Sequence, residues 1–182
     1  MLLALLAACI ASAWAGSIEP TRAQLSAAEE GGHVLSAEFD IDLGAQFEEA
    51  LTHGVTLHFN LEFTLSRRRW YWIDEHIAGH LGHYTLSYNA LTRQYRLSSG
   101  GLHRGFATLT EALRVLGRVA DLPVAEKSVL KPGEQYDAAL RLALDRGQLP
   151  KPFQLDAIAN KEWQVEARVL RWRFVPVAGG QK

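Results

Sequence analysis

Sulfur is nearly absent from this chain: one Cys and one Met occur among 182 residues. The lone Cys9 has no partner for an intrachain disulfide or a paired-thiolate zinc site, so the fold must stand on its apolar core. An excess of either charge is also missing. With 19 Lys+Arg against 20 Asp+Glu the net charge is −1. The basic footprint of a nucleic-acid binder is therefore lacking, and nucleic acid is not an expected partner. No apolar run reaches the ~20 residues needed to cross a bilayer as a helix. Neither G-x-S-x-G nor G-x-x-x-x-G-K-[ST] occurs, so no local motif points to a serine hydrolase or a P-loop. Internal repeats and low-complexity tracts are missing too. What is present is an ordinary globular balance, 48% hydrophobic against 21% charged, in a length that fits one domain. A chain of this size buries about 68–70% of its unfolded surface, enough to fold without a staple.

Residues Met1 to Ala15 carry no charge. An apolar stretch through Ile10 is followed by small residues and by Ala13-Trp14-Ala15, the pattern of a secretory signal peptide with an A-x-A cleavage box. The expectation is a signal peptide over 1–15 and a single domain over 16–182, exported to the periplasm. A basic residue ahead of the apolar run is missing. Leu6-Ala7-Ala8-Cys9 offers an alternative, a lipobox that would anchor the protein through Cys9. Only Met1 to Leu5 precede that box, and an apolar region of about 7–15 residues is the norm, so cleavage after Ala15 is preferred. The mature chain would then hold no Cys and no Met, which excludes thiolate catalysis and thiolate metal sites.

Alternation of apolar and polar residues dominates the remainder. Thr21 to Ala28 predicts a first strand after a short leader, Gly16 to Pro20. His33 to Leu43 predicts a second, with Leu35, Ala37, Phe39, Ile41 and Leu43 on one face. Ala45 to Thr52 reads as a helix stopped by Gly54. The strongest strand follows, with Val55, Leu57, Phe59, Leu61, Phe63 and Leu65 facing inward. His76 to Asn89 and Leu91 to Ser98 predict a hairpin, and Ser98 to Gly105 a Gly/Ser loop. Thr108 and Glu111 stand at capping-box spacing, which predicts a helix over Thr108 to Ala120. Pro123 to Glu126 reads as a short strand, Lys131-Pro132-Gly133 as a turn, and Tyr136 to Leu144 as a long strand. Trp163 to Phe174 is expected as a last, central strand whose inward set shifts by one residue, as a β-bulge would shift it. The fold class is mainly β: an antiparallel two-sheet β-sandwich, of immunoglobulin-like or Greek-key type, with two short helices in connections.

Five segments recur together in a known family. They are Ser66-Arg67-Arg68-Arg69-Trp70-Tyr71-Trp72-Ile73-Asp74-Glu75, the hairpin from Tyr84 to Leu97, Phe106-Ala107-Thr108-Leu109-Thr110-Glu111-Ala112-Leu113, Leu130-Lys131-Pro132-Gly133-Glu134-Gln135-Tyr136, and Leu149-Pro150-Lys151-Pro152. In this order and spacing the chain resembles a proteobacterial domain-of-unknown-function family, number 4390, over essentially all of its mature length. The resemblance implies an exported bacterial protein of unassigned activity. It also implies an association, through neighbouring genes, with a sensor histidine kinase. It supplies no catalytic residues.

Three clusters are candidates for chemistry. His76, His80 and His83 stand at i, i+4 and i+7. On a helix they would share a face and hold zinc, with Asp74 or Glu75 as a fourth ligand or base. The strand reading works against this, since it puts His76 and His80 on one side and His83 on the other. Gly79 and Gly82 also weaken a helix by about 1 kcal/mol each. Solvated strand histidines are the plainer reading. Ser98 to Gly105 offers an anion nest with Arg104 as counter-charge, against the commoner Gly/Ser turn. Arg67, Arg68 and Arg69 beside Trp70 and Tyr71, together with Arg104, combine the residue types that anchor interfaces with proteins or lipid headgroups. The carboxylate pairs Asp40 with Asp42 and Glu48 with Glu49 lie where alternation puts solvated faces. No cluster joins a nucleophile, a base and an orienting group, and no cofactor is expected. The expected function is a non-catalytic, protein-binding accessory module of the cell envelope, linked to envelope sensing, with peripheral membrane contact as a second mode. The alternative is a metal-binding protein or metalloenzyme using His76, His80 and His83.

Overall fold

Side chains that alternate in sequence alternate between core and water in space. The computed structural model describes residues 16–29, 31–68, 74–126, 128–153 and 163–177; the expected signal peptide over 1–15 lies outside them. In chain order the described elements are β1 (Gly16–Ala27), β2 (His33–Asp42), α1 (Ala45–Thr52), β3 (Leu57–Arg67), β4 (Glu75–Asn89), β5 (Gln94–Ser99) and β6 (Leu102–Phe106). Then come α2 (Leu109–Leu116), β7 (Arg118–Ala125), β8 (Tyr136–Leu144), a 3-10 turn (Arg146–Gln148), β9 (Val165–Ala167) and β10 (Leu170–Phe174). The strands form a four-stranded sheet in the order β7-β2-β1-β9 and a six-stranded sheet in the order β10-β8-β3-β4-β5-β6. The mainly β, two-sheet sandwich is as the alternation predicts.

Residues from both sheets and both helices share one apolar cluster. Leu57, Phe59, Leu61, Phe63 and Leu65 of β3, and Leu140 and Leu142 of β8, are almost wholly withdrawn from water. Each such side chain contributes about 1.5–3 kcal/mol by leaving solvent. They make β3 and β8 the central strands. Opposite them sit Ile18, Leu35, Ala37 and Phe39. Helix α1 closes one end through Phe47, Ala50 and Leu51. Phe47 meets Trp163 edge-on, with centroids 5.3 Å apart. Trp163 is only partly buried, whereas an inward strand position would have put it in the core. Helix α2 begins on the expected capping box: Thr108 Oγ1 accepts from the Glu111 amide, and the Glu111 carboxylate accepts from the Thr108 amide. It ends at Leu116 rather than Ala120. At Gly117 a Cβ would stand 2.5 Å from the Phe39 carbonyl, and the Phe39 amide donates to the Gly117 carbonyl over 2.8 Å.

Several local expectations need correction. The expected leader before Thr21 is strand: β1 starts at Gly16 and buries Ile18 completely. The expected Gly/Ser loop is a second hairpin, in which Gly100 and Gly101 turn β5 back into β6. The expected short strand at Pro123 begins five residues earlier, at Arg118. The register shift near Val169 is not a bulge in one strand. Instead, β9 pairs with β1 in the first sheet, and β10 pairs with β8 in the second. The chain changes sheets there, so the inward side changes parity. The β1–β9 pair is parallel, which makes the smaller sheet mixed, and β10 is an edge strand rather than a central one.

Candidate functional site

At the end of β3 two consecutive arginines take different roles. Arg67 is partly buried and bridges two carboxylates: Glu75 on β4 at 2.6 Å and Glu134 at 2.5 Å. These hydrogen bonds hold the Arg67 guanidinium firmly protonated and keep the Glu134 carboxyl below the usual carboxylate range. Glu134 also accepts from the Tyr136 hydroxyl, which itself accepts from the Lys131 amide. Arg67 is thus a structural clamp and not a free contact residue. Arg68 points the other way. Its side chain is 76% exposed, and its nearest carboxylate, Asp137, is 3.9 Å away.

The β10–β8–β3 register explains what surrounds Arg68. Arg171 lies across from Ala139, which lies across from Thr64; Arg173 lies across from Asp137, which lies across from Ser66. Directly opposed residues project on the same side of a sheet, so this set shares the outer face. Together with Arg68 and Asp74 it lines a groove of about 430 Å³. Three guanidiniums and two carboxylates surround a floor of alanine, serine and threonine. Trp172 packs against the core, with its ring centroid 6.2 Å from that of Phe63. Its neighbours Arg171 and Arg173 therefore stand in water.

The expected interaction surface is only partly assembled. Arg68 belongs to the groove and Arg67 lies beneath its rim. Arg69, Trp70 and Tyr71 fall outside the described residues. Arg104 is at the opposite corner. It pairs with Leu97, and through Leu97 and Leu86 it aligns with Leu57 at the start of β3, whereas Arg67 is at that strand's end. Ten residues of strand separate those ends, about 33 Å at 3.3 Å per residue. Arg104 lies instead over the Phe106 ring, 5.6 Å from its centroid. The expected nest with Arg104 is a hairpin turn, as its two left-handed glycines require.

The three histidines do not converge. A register shift between Leu65 and Ser66 leaves Ile77 without a directly opposed residue. His76 is opposite Ser66, and His83 is opposite Asn60, on the outer face. His80 is opposite Phe63, on the inner side. The shift reverses the grouping expected from simple alternation. His76 and His83, the two that share a face, are seven residues apart, about 23 Å along a strand and too far for one ion. Among the described residues no group of three or more His, Cys, Asp or Glu side chains is arranged to hold a metal.

Sequence reasoning missed a polar seam across the outer face of the larger sheet. His83 Nδ1 and Asn60 Oδ1 are 2.8 Å apart, and Asn60 Nδ2 donates to Asp145 Oδ2 over 3.3 Å. Hydrogen bonds from Gln148, Asn60 and the Gly147 amide hold the Asp145 carboxyl below its usual range. Thr85 bonds His58, and Ser98 bonds His103 at 2.7 Å. The last pair joins a hydroxyl to a potential base. Yet His103 is exposed, and among the described residues no hydrogen-bonded carboxylate orients it. That falls short of an activated nucleophile. Asn60 and Asp145 are 85 positions apart, so no local signal could have joined them; Ser98 and His103 are five apart, and only the hairpin pairing sets them opposite each other. Another groove, about 640 Å³, lies elsewhere, between β2 and α2. Its charged walls have mixed sign, with Asp40, Asp42 and Glu48 facing Arg114 and Arg118. It gathers none of the residues expected to bind.

The model of a family described as a domain of unknown function, DUF4390, matches residues 15–173. No curated protein and no solved structure matches the chain.

Proposed function

Because the chain belongs to the DUF4390 family, whose description names no reaction, we propose from its own residues that it is an exported, non-catalytic module that binds a protein partner in the cell envelope. The contact surface is the groove of Arg68, Arg171 and Arg173. One observation carries this reading: these arginines border a shallow floor of small side chains, and among the described residues no short ion pair holds Arg68 or Arg171. Arginines so placed offer planar, multidentate donors to carboxylates and backbone carbonyls, and arginine is among the residues that dominate protein interfaces. The partner surface is accordingly acidic. The uncharged leader ending in Ala13-Trp14-Ala15 supports export to the periplasm, and a partner in envelope sensing is the corresponding setting.

A photoreactive amino acid installed in living cells tests the groove. Placed at Arg68, Arg171 or Arg173 it should yield one and the same crosslinked protein, and placed at exposed Thr52 of α1 it should not. Equal yields from Thr52, or no product from any groove position, would refute the assignment. The intact mass of the recovered protein reads the leader at the same time. A chain beginning at Gly16 supports the periplasmic form, a lipid adduct on Cys9 selects the anchored form, and an unprocessed chain in the cytoplasm rejects export.

A further inference from the structure

Between Glu75 and Glu111 the chain has no carboxylate, while Arg93, Arg96, Arg104 and four histidines fall in that stretch. In a protein of net charge −1, this gathers positive charge in one place. The stretch builds β4, β5 and β6, the three strands at one side of the larger sheet. Arg93, Arg96 and Arg104 are all exposed.

Among the described residues the sheet ends at β6, and Leu102, His103, Arg104 and Gly105 are exposed. The hairpin leading into it turns on Gly100 and Gly101, with φ of 54° and 85°. A two-residue turn with both central φ positive closes on a hydrogen-bonded pair, here Ser99 with Leu102. Bonded pairs recur at every second residue, so Leu97 bonds Arg104 and Tyr95 bonds Phe106. The backbone N–H and C=O groups of His103 and Gly105 therefore point away from β5 into water. The other edges are poorer templates. β7 contains Pro123 and a left-handed Asp121, with φ of 48°, and its pairing slips twice. β9 spans three residues, and β10 carries the arginines of the groove. β6 has neither proline nor register shift. Proline, bulges and short length are the usual means of blunting an edge.

We infer that β6 is a strand-addition site, where an extended acidic segment of a partner protein continues the sheet, with a carboxylate opposite Arg104 and apolar side chains opposite Leu102 and Phe106. Leu102, Arg104 and Phe106 project on one face, so the segment alternates with the same period of two. A second copy of this chain suits the edge poorly, since two β6 strands centred on each other would oppose Arg104 to Arg104. The site extends the binding-module reading to a second surface, remote from the groove, and the two readings fail separately.

The test uses the full chain and two fluorescent, end-capped heptapeptides, Thr-Val-Thr-Glu-Thr-Val-Thr and its counterpart with Lys at the centre, followed by anisotropy. The Glu peptide should bind about tenfold more tightly than the Lys peptide, and Arg104→Glu should reverse that order. Gly105→Pro removes an outward N–H and should weaken binding about tenfold, whereas Gly105→Ala keeps it and should stay within about threefold. If Gly105→Pro loses the fold, Arg104→Glu decides alone. Arg171→Ala with Arg173→Ala should leave peptide binding unchanged. Equal affinity for the two peptides, or matched losses in folded Gly105→Pro and Gly105→Ala, would overturn the proposal. So would binding of a duplex DNA or of phosphatidylglycerol vesicles, in preference to the Glu peptide, that Gly105→Pro leaves intact.

Discussion

Arg67 and Arg68 are adjacent in sequence and opposite in role, and pH separates them. Glu134 sits below its ordinary range chiefly because the Arg67 guanidinium donates to it. A carboxylate whose pKa is depressed on folding stabilises the native state above its unfolded pKa. That contribution is lost as pH falls through the folded value. The melting temperature should therefore decline as pH drops below about 4.3, the ordinary glutamate value, and Arg67→Ala should flatten the decline while lowering stability near neutrality. An identical acid limb in wild type and Arg67→Ala, followed by calorimetry, would show that the clamp contributes nothing. The effect is small, since both partners are about one-third exposed and solvent screens such pairs. Sequence reasoning took Arg67 for a contact residue because its acceptor Glu134 is 67 positions away. The histidine grouping failed for a related reason: the register shift beside Ile77 depends on how β3 and β4 pair, which alternation within β4 does not encode.

At the scale of the element, much was legible where one local rule sufficed. The span of α1 and the start of α2 at its capping box, the inward face of β2, and the central strands β3 and β8 follow from period and capping alone. Reading failed where two different structures share one pattern. A one-residue shift in apolar parity fits a bulge, but it fits equally well the passage from β9 to β10, where the chain leaves one sheet for the other. A Gly-Gly pair directly after two serines fits an open loop, yet here it is the tight turn that creates edge strand β6. That turn makes a prediction of its own. A Cβ at Gly101 would meet nothing within 4 Å, but φ there is +85°. Gly101→Val should thus cost about 1–2 kcal/mol through backbone strain alone. Chemical denaturation would measure it, and a change below about 0.3 kcal/mol would mean that the turn relaxes freely.

At the scale of the molecule, the sandwich is a frame that sets arginines from distant strands side by side. Arg68 at the end of β3 meets Arg171 and Arg173 only because β8 lies between β3 and β10 in the larger sheet. The sequence displayed the alternation Arg171-Trp172-Arg173-Phe174, so the outward direction of both arginines was readable. Their neighbourhood was not, because it depends on strand order. The role proposed for this groove is to bind a protein partner without being needed for folding. The most direct measurement joins two readouts on Arg171→Glu with Arg173→Glu: crosslinking yield in cells from a photoreactive residue at Arg68, and the melting temperature of the purified protein. The expected result is a fall in yield of about tenfold, the effect of losing roughly 1.4 kcal/mol of contact, with the melting temperature nearly unchanged. An undiminished yield, or a collapse of the melting temperature that shows these arginines to be structural, would contradict it.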